Sequence, residues 1–236
     1  MITIKIVYGR GVNMKKKGIV IVLSALLALL VCLFTFNDTS NINKDSYKFK
    51  KEYESYNNKS WEYEGKKGKY LNIEINKDNP IIYLNDENIV KELKEGDKII
   101  YFGFPDCNWC RVAVPVLLKS AEENGVEKIY YYDFGEVREA FEKDKNNEKA
   151  KIYQQIIEVL DSNITSTFES GTKKGEKRLS APTVVLMKDG KVSSFHYRTV
   201  ESHQNYNKNL TTDEYNELYK IYEDMMIDLI MCTSDC

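Results

Sequence analysis

The strongest constraint on this chain is the stretch "DKIIYFGFPDCNWCRVAVPVLLKSAEENG", in which a short apolar run leads directly into two cysteines and then into a helical pattern. A strand-like run followed by a helix with glycine at its end, Gly125, predicts a βα unit with the cysteine pair at the junction. Cys107 then sits at the helix N-terminus, where unpaired N–H groups and the helix dipole favour a thiolate. Cys110, one turn further in, is placed to attack a mixed disulfide formed on Cys107. Cys-x-x-Cys spacing also occurs in zinc sites and in static disulfides, so the pair alone leaves those chemistries open.

The surrounding pattern extends the unit in both directions. "YLNIEI" alternates with period two and "PIIYL" is a short apolar run, and both are strand signals. "NDENIVKELKEG" predicts a short helix with Asn85 or Asp86 as cap and Ile89, Val90 and Leu93 on one face. "VEKIYYYDF" predicts another strand, and Arg138 to Leu160 one long helix or two. "APTVVLMKDGKVSSFHYRT" is a hairpin signal turning at Lys188, Asp189 and Gly190. "TTDEYNELYKIYEDMMIDLI" places Tyr215, Leu218, Ile221, Tyr222, Met225 and Leu229 on one helical face. The expected order is β-α-β, then α-β-β-α, without internal repeats.

In this setting the sequence resembles the thioredoxin superfamily. The resemblance rests on the strand-to-cysteine spacing of "IIYFGFPDCNWC", on Pro115 five residues after Cys110, and on "APTVVLMKDGKV", which is similar to the family's strand opening with a cis-proline. It covers about Pro80 to Ile230 and looks most like the membrane-anchored or secreted thioredoxin-like proteins of Gram-positive bacteria, some of them named bacteriocin transport accessory proteins. It implies an α/β thioredoxin-like fold, a central mixed β-sheet flanked by helices. It also implies a thiol-disulfide oxidoreductase with Cys107 and Cys110 as catalytic couple and Trp109, Ala181, Pro182 and Thr183 as substrate contacts. Neither a metal nor an organic cofactor is expected. Two positions depart from the family: Tyr101 stands where thioredoxins carry a buried Asp, and Asn108-Trp109 is a foreign dipeptide. Asp106 beside Cys107 should oppose its ionisation.

Ahead of this region, "MKKKGIVIVLSALLALLVCLFTF" sets three lysines before an uncharged run from Gly18 to Phe36. About 19 residues at about 1.5 Å each match the roughly 30 Å hydrocarbon core of a bilayer. Lys5, Arg10 and the three lysines should stay in the cytoplasm, so the remaining chain faces outward. The absence of an A-x-A pattern favours an uncleaved anchor, and Val31 before Cys32 argues against lipidation. Met14 opens so typical a signal that residues 1–13 are a short cytoplasmic extension or an untranslated one. The expected organisation is therefore 1–13 extension, 14–36 transmembrane anchor, 37–69 polar tether, and 70–236 thioredoxin-like domain with a helical insertion at about 136–180.

Balanced charge, with 34 Lys and Arg against 36 Asp and Glu, and no basic aromatic patch beyond the amino terminus exclude a nucleic-acid surface. The expected partners are protein dithiol or disulfide substrates and a membrane redox partner. An outward location permits disulfides. Cys232 and Cys236 form a terminal C-x-x-x-C pair: a disulfide, two idle thiols, an auxiliary couple exchanging with Cys107, or, with Cys107 and Cys110, a zinc site. His196 and His203 lack ligand spacing. A competing class is a non-catalytic binding module of an export or envelope complex, with Cys107 and Cys110 in a structural disulfide.

Overall fold

A computed structural model describes residues 44–63 and 65–234. The expected anchor over 14–36, Cys32 and Cys236 lie outside these residues, and the side chain of Cys232 is likewise not described. Among the described residues no helix is long and apolar enough to cross a membrane.

The chain is mixed α/β. A helix over residues 44–54 (α1) precedes an antiparallel hairpin of β1 (Ser60–Tyr63) and β2 (Lys66–Lys69), with Trp61 opposite Gly68. Then follow β3 (Ile81–Tyr83), α2 (Ile89–Glu92), β4 (Lys98–Gly103), α3 (Asn108–Glu123) and β5 (Ile129–Asp133). The second half comprises α4 (Gly135–Lys143), α5 (Glu148–Leu160), β6 (Thr183–Lys188), β7 (Lys191–Tyr197) and α6 (Thr212–Ser234). The main sheet has the order β3-β5-β4-β6-β7, with β3, β5 and β4 parallel and β6 and β7 antiparallel.

Because strand side chains alternate between faces, the unbroken apolar runs of β4 and β6 bury both faces. Ile99, Tyr101, Ile129, Tyr131, Val184 and Leu186 pack with α1, α3 and α6. Ile100, Phe102, Tyr132, Val185 and Met187 pack with α2, α4 and α5. The region expected as an insertion therefore supplies most of one layer, with Phe141, Tyr153, Ile156 and Leu160 buried. At the β6–β7 turn, Asp189 and Gly190 have φ of 46° and 69°. This is the left-handed conformation that a tight two-residue hairpin requires.

Two expectations are corrected. The segment from Lys44 to Lys69 is not a polar tether, since α1 buries Ser46, Phe49 and Tyr53 completely. These three positions, spaced i, i+3 and i+7, share one helical face, and they close the sheet face that α3 and α6 leave open. "YLNIEI" is extended but joins no sheet. Its backbone is satisfied by side chains instead: the N–H groups of Ile73 and Ile75 donate to Asn57 Oδ1 (3.0 Å) and Glu54 Oε1 (2.8 Å). Lys50 Nζ donates to the Ile75 carbonyl at 2.7 Å. Buried backbone groups need partners, and here the α1 region, with Asn108 and Arg111 of α3 at Leu71, provides them in place of a neighbouring strand.

Candidate functional site

β4 delivers the chain to Phe104, Pro105 and Asp106, and Cys107 becomes the N-cap of α3 in an extended conformation (φ −97°, ψ 113°). Its Sγ accepts the Cys110 backbone N–H at 3.3 Å. On its other side the same sulfur lies 3.8 Å from the Ala181 carbonyl oxygen, immediately before the cis bond to Pro182. Cys107 is half-buried and Cys110 fully buried, and both are free thiols.

The two sulfurs have opposite acid–base character. Burial alone would push the Cys107 thiol up, but hydrogen bonds from the Cys110 side chain and backbone, together with the Arg138 charge, bring it below the ordinary value. Asp106 works against this, as its place in the sequence implies. Burial, followed by the hydrogen bond and charge of Cys107, pushes the Cys110 thiol well up. Cys107 is thus the group that ionises first, and Cys110 stays protonated until Cys107 gives up its charge.

Arg138 comes from α4, with its guanidinium 4.9 Å from the centre of the Phe104 ring. Replacing it with alanine should move the pH of half-maximal Cys107 alkylation upward and slow alkylation at neutral pH. A pH series with iodoacetamide checks this.

Behind Cys110 lies a pair of buried phenols. The Tyr101 hydroxyl is hydrogen-bonded to Cys110 and favours its charged form, and it meets the Tyr53 hydroxyl from α1 at 2.7 Å. Gly103 leaves room for this, since a Cβ there would lie 2.2 Å from the Tyr101 oxygen. Substituting Tyr101 by Phe removes that donor and strands the Tyr53 hydroxyl. The expected result is roughly tenfold slower attack by Cys110 on a mixed disulfide. Stability should fall by about 1–3 kcal/mol, less in the Tyr53→Phe/Tyr101→Phe double variant. Stopped-flow thiol release and urea unfolding measure the two effects.

Two further side chains hold the motif in place. Arg111, 1 % exposed, donates from Nε to the Leu71 carbonyl (2.6 Å) and from Nη1 to those of Tyr53 (2.6 Å) and Pro105 (3.0 Å). Its Nη2 donates to Asn57 Oδ1 at 2.6 Å. Asn108 donates to the Lys69 carbonyl (3.2 Å) and to Asn207 Oδ1 (3.1 Å), and accepts from the Leu71 N–H (3.2 Å). One amide therefore ties the β1–β2 hairpin and the loop before α6 to the start of α3.

The structure brings Cys107, Cys110, Trp109, Ala181 and Pro182 together. Thr183 is different: it is fully buried, its hydroxyl donates to the Ser180 carbonyl at 2.7 Å, and it lies between Phe102 and Tyr197 in the sheet. With strands on both sides it offers no free edge, which corrects its expected place among the substrate contacts. Trp109 packs edge-on against His203 at 5.6 Å between ring centres, and the His203 Nδ1 lies 3.3 Å from Glu214 Oε2. His196 sits on β7 with its imidazole pKa lowered, chiefly by burial. Among the described residues no group of three or more His, Cys, Asp or Glu could hold a metal ion.

Sequence reasoning passed over Tyr53, Arg138, Asn57 and Tyr206, and expected only local packing of Trp61. Arg111 was visible as the residue following Cys110, but nothing in its type announced four neutral acceptors.

No protein-family model and no curated protein matches the sequence. Among solved structures, thioredoxin f2 of Chlamydomonas reinhardtii is similar at 13 % identity, covering 50 % of this chain and 83 % of that one, with a TM-score of 0.31. That likeness is too slight to assign a function.

Proposed function

We propose that this chain is a thiol-disulfide oxidoreductase of thioredoxin-like fold, held at the membrane by its apolar amino-terminal segment and acting on protein thiols outside the cytoplasm. The observation that carries the reading is the asymmetry of the pair: a half-buried Cys107 with a lowered pKa at a helix N-terminus, backed by a fully buried Cys110 with a raised one.

In the reducing direction, the Cys107 thiolate attacks one sulfur of a substrate disulfide. The substrate S–S bond breaks, a mixed disulfide forms, and one substrate sulfur leaves as a thiolate that takes up a proton. Cys110 then loses its proton and attacks Cys107 Sγ. The second substrate sulfur leaves, and the protein retains a Cys107–Cys110 disulfide. Two electrons pass from the protein dithiol to the substrate, and the reverse sequence oxidises a substrate dithiol. The Tyr101 hydroxyl, donating to Cys110, favours the thiolate needed for the second attack. The Ala181–Pro182 segment, against Cys107, borders the place where a substrate chain would lie.

The test is reduction of a model protein disulfide by the full chain with dithiothreitol as electron source. The reading requires acceleration that a Cys107→Ser chain lacks. Equal rates for both chains would return the fold to the binding-module class.

A further inference from the structure

Beside Cys107 lies a recess of about 570 Å³, and its walls come from three segments far apart in the sequence. Trp61 belongs to β1, Trp109 to the motif itself, and Tyr206 to the loop before α6. The Tyr206 ring centre stands 6.0 Å from that of Trp61 and 5.7 Å from that of Trp109, tilted at 48° and 59°. Three aromatic faces at mutual angles thus border one space. The assembly is fixed rather than incidental. Asn108 binds both the Lys69 carbonyl, at the end of the strand opposite Trp61, and Asn207, the neighbour of Tyr206. The Trp61 indole also lies so close over Gly68 that a Cβ there would be 2.3 Å from the ring.

The charge in this recess is negative. Asp106 is exposed and has no ion-pair partner among the described residues, and its field raises the pKa of Tyr56 and Tyr70, though in both cases burial is the larger cause. Glu62 also lines the recess and is paired with Lys67 at 3.1 Å. No lysine or arginine among the described residues lines the recess, and two nearby cations are engaged elsewhere: Arg111 is buried among carbonyls, and Arg138 lies over the Phe104 and Phe134 rings. Aromatic faces attract cations through the negative ring quadrupole, more strongly when water is partly excluded.

We propose that this recess receives a lysine or arginine side chain of the protein substrate, one flanking the cysteine that reacts with Cys107. The inference rests on the exchange reading and names the kind of substrate segment it prefers. Trp61 and Tyr206 are the specificity-determining residues, and Asn108 positions them. Asp106 supplies the charge, at the cost of opposing Cys107 ionisation.

The test uses the full chain and short synthetic peptides, each with one cysteine activated as a mixed disulfide with a nitrothiobenzoate chromophore and flanked by Arg, Gln or Glu. The Arg peptide should release chromophore about tenfold faster than the Gln peptide, and the Glu peptide should be slower still. Trp61→Leu and Tyr206→Leu should each bring the Arg-to-Gln ratio close to one. Asp106 is left intact, because changing it would also alter Cys107 ionisation. Equal rates for all three peptides would overturn the proposal while leaving exchange itself in place. So would an Arg preference that survives both substitutions, since it would then arise from the general field of the molecule. Failure of every peptide, and of a small disulfide, to react would instead remove the exchange reading on which the proposal stands.

Discussion

A Cys110→Ser chain should accumulate covalent adducts with its protein substrates through Cys107, whereas a Cys107→Ser chain should form none. The expectation follows from the division of labour at the start of α3. Cys107 is the accessible sulfur and the one whose ionisation is favoured by the Cys110 N–H and Arg138, while Cys110 is wholly buried behind it. Removing Cys110 leaves the first attack intact but removes the only thiol among the described residues in position to release the mixed disulfide, so the adduct persists until another thiol displaces it. Removing Cys107 leaves a sulfur that substrate cannot reach. Turnover should be lost in the Cys107→Ser chain, because the missing sulfur belongs to the bond being made, and in the Cys110→Ser chain it should be limited by the external thiol that releases the adduct. Non-reducing electrophoresis and mass spectrometry of the trapped species check the result, and adducts forming through Cys110 in the Cys107→Ser chain would reverse the assignment.

Arg111→Met should be nearly as damaging, but to stability rather than to chemistry. The guanidinium joins four oxygens from four places: Tyr53 on α1, Asn57 just after it, Leu71 in the extended segment, and Pro105 in the cysteine loop. Breaking a buried charged network by deleting one partner typically costs about 3–5 kcal/mol, because the acceptors left behind stay buried without donors. Lysine should not rescue the loss, since one ammonium cannot reach four divergent acceptors that a planar fork can. Urea unfolding of the reduced protein measures the cost, and a loss below about 1 kcal/mol would mean that the contacts of α1 other than those of Arg111 suffice to hold it.

The strands and helices that are long, apolar and bounded by turn residues were legible in the sequence. β4, α3, β5, β6, β7 and α6 fall where the apolar periods put them, and the Arg138–Leu160 pattern resolves into α4 and α5 around the polar break at 144–147. What escaped was whatever depends on one residue meeting a distant one. α1 shows only Tyr47, Phe49 and Tyr53 among charges, with Tyr47 exposed, so its composition resembles a solvated linker until the uncovered sheet face is known. "YLNIEI" has strand periodicity, yet its backbone partners are side chains of Glu54 and Asn57, which no local pattern encodes.

The cysteine couple itself is the most local feature of the chain and the easiest to find. Its surroundings are the least local. The Tyr53–Tyr101 phenol pair joins α1 to β4, and the aromatic recess joins residues 61, 109 and 206. Thr183 was misplaced for the complementary reason: adjacency to Pro182 in sequence says nothing about the strands that flank it on both sides.

The central claim, that Cys107 and Cys110 form a reversible two-electron couple, is tested most directly by equilibrating the full chain, with Cys32, Cys232 and Cys236 changed to serine, in graded glutathione buffers. After acid quenching, mass spectrometry counts the free thiols. The account predicts a single reversible transition in which both thiols disappear together, at a potential within the range of known exchange proteins, about −120 to −270 mV. A pair that stays fully reduced, or stays fully oxidised, across that range would contradict it.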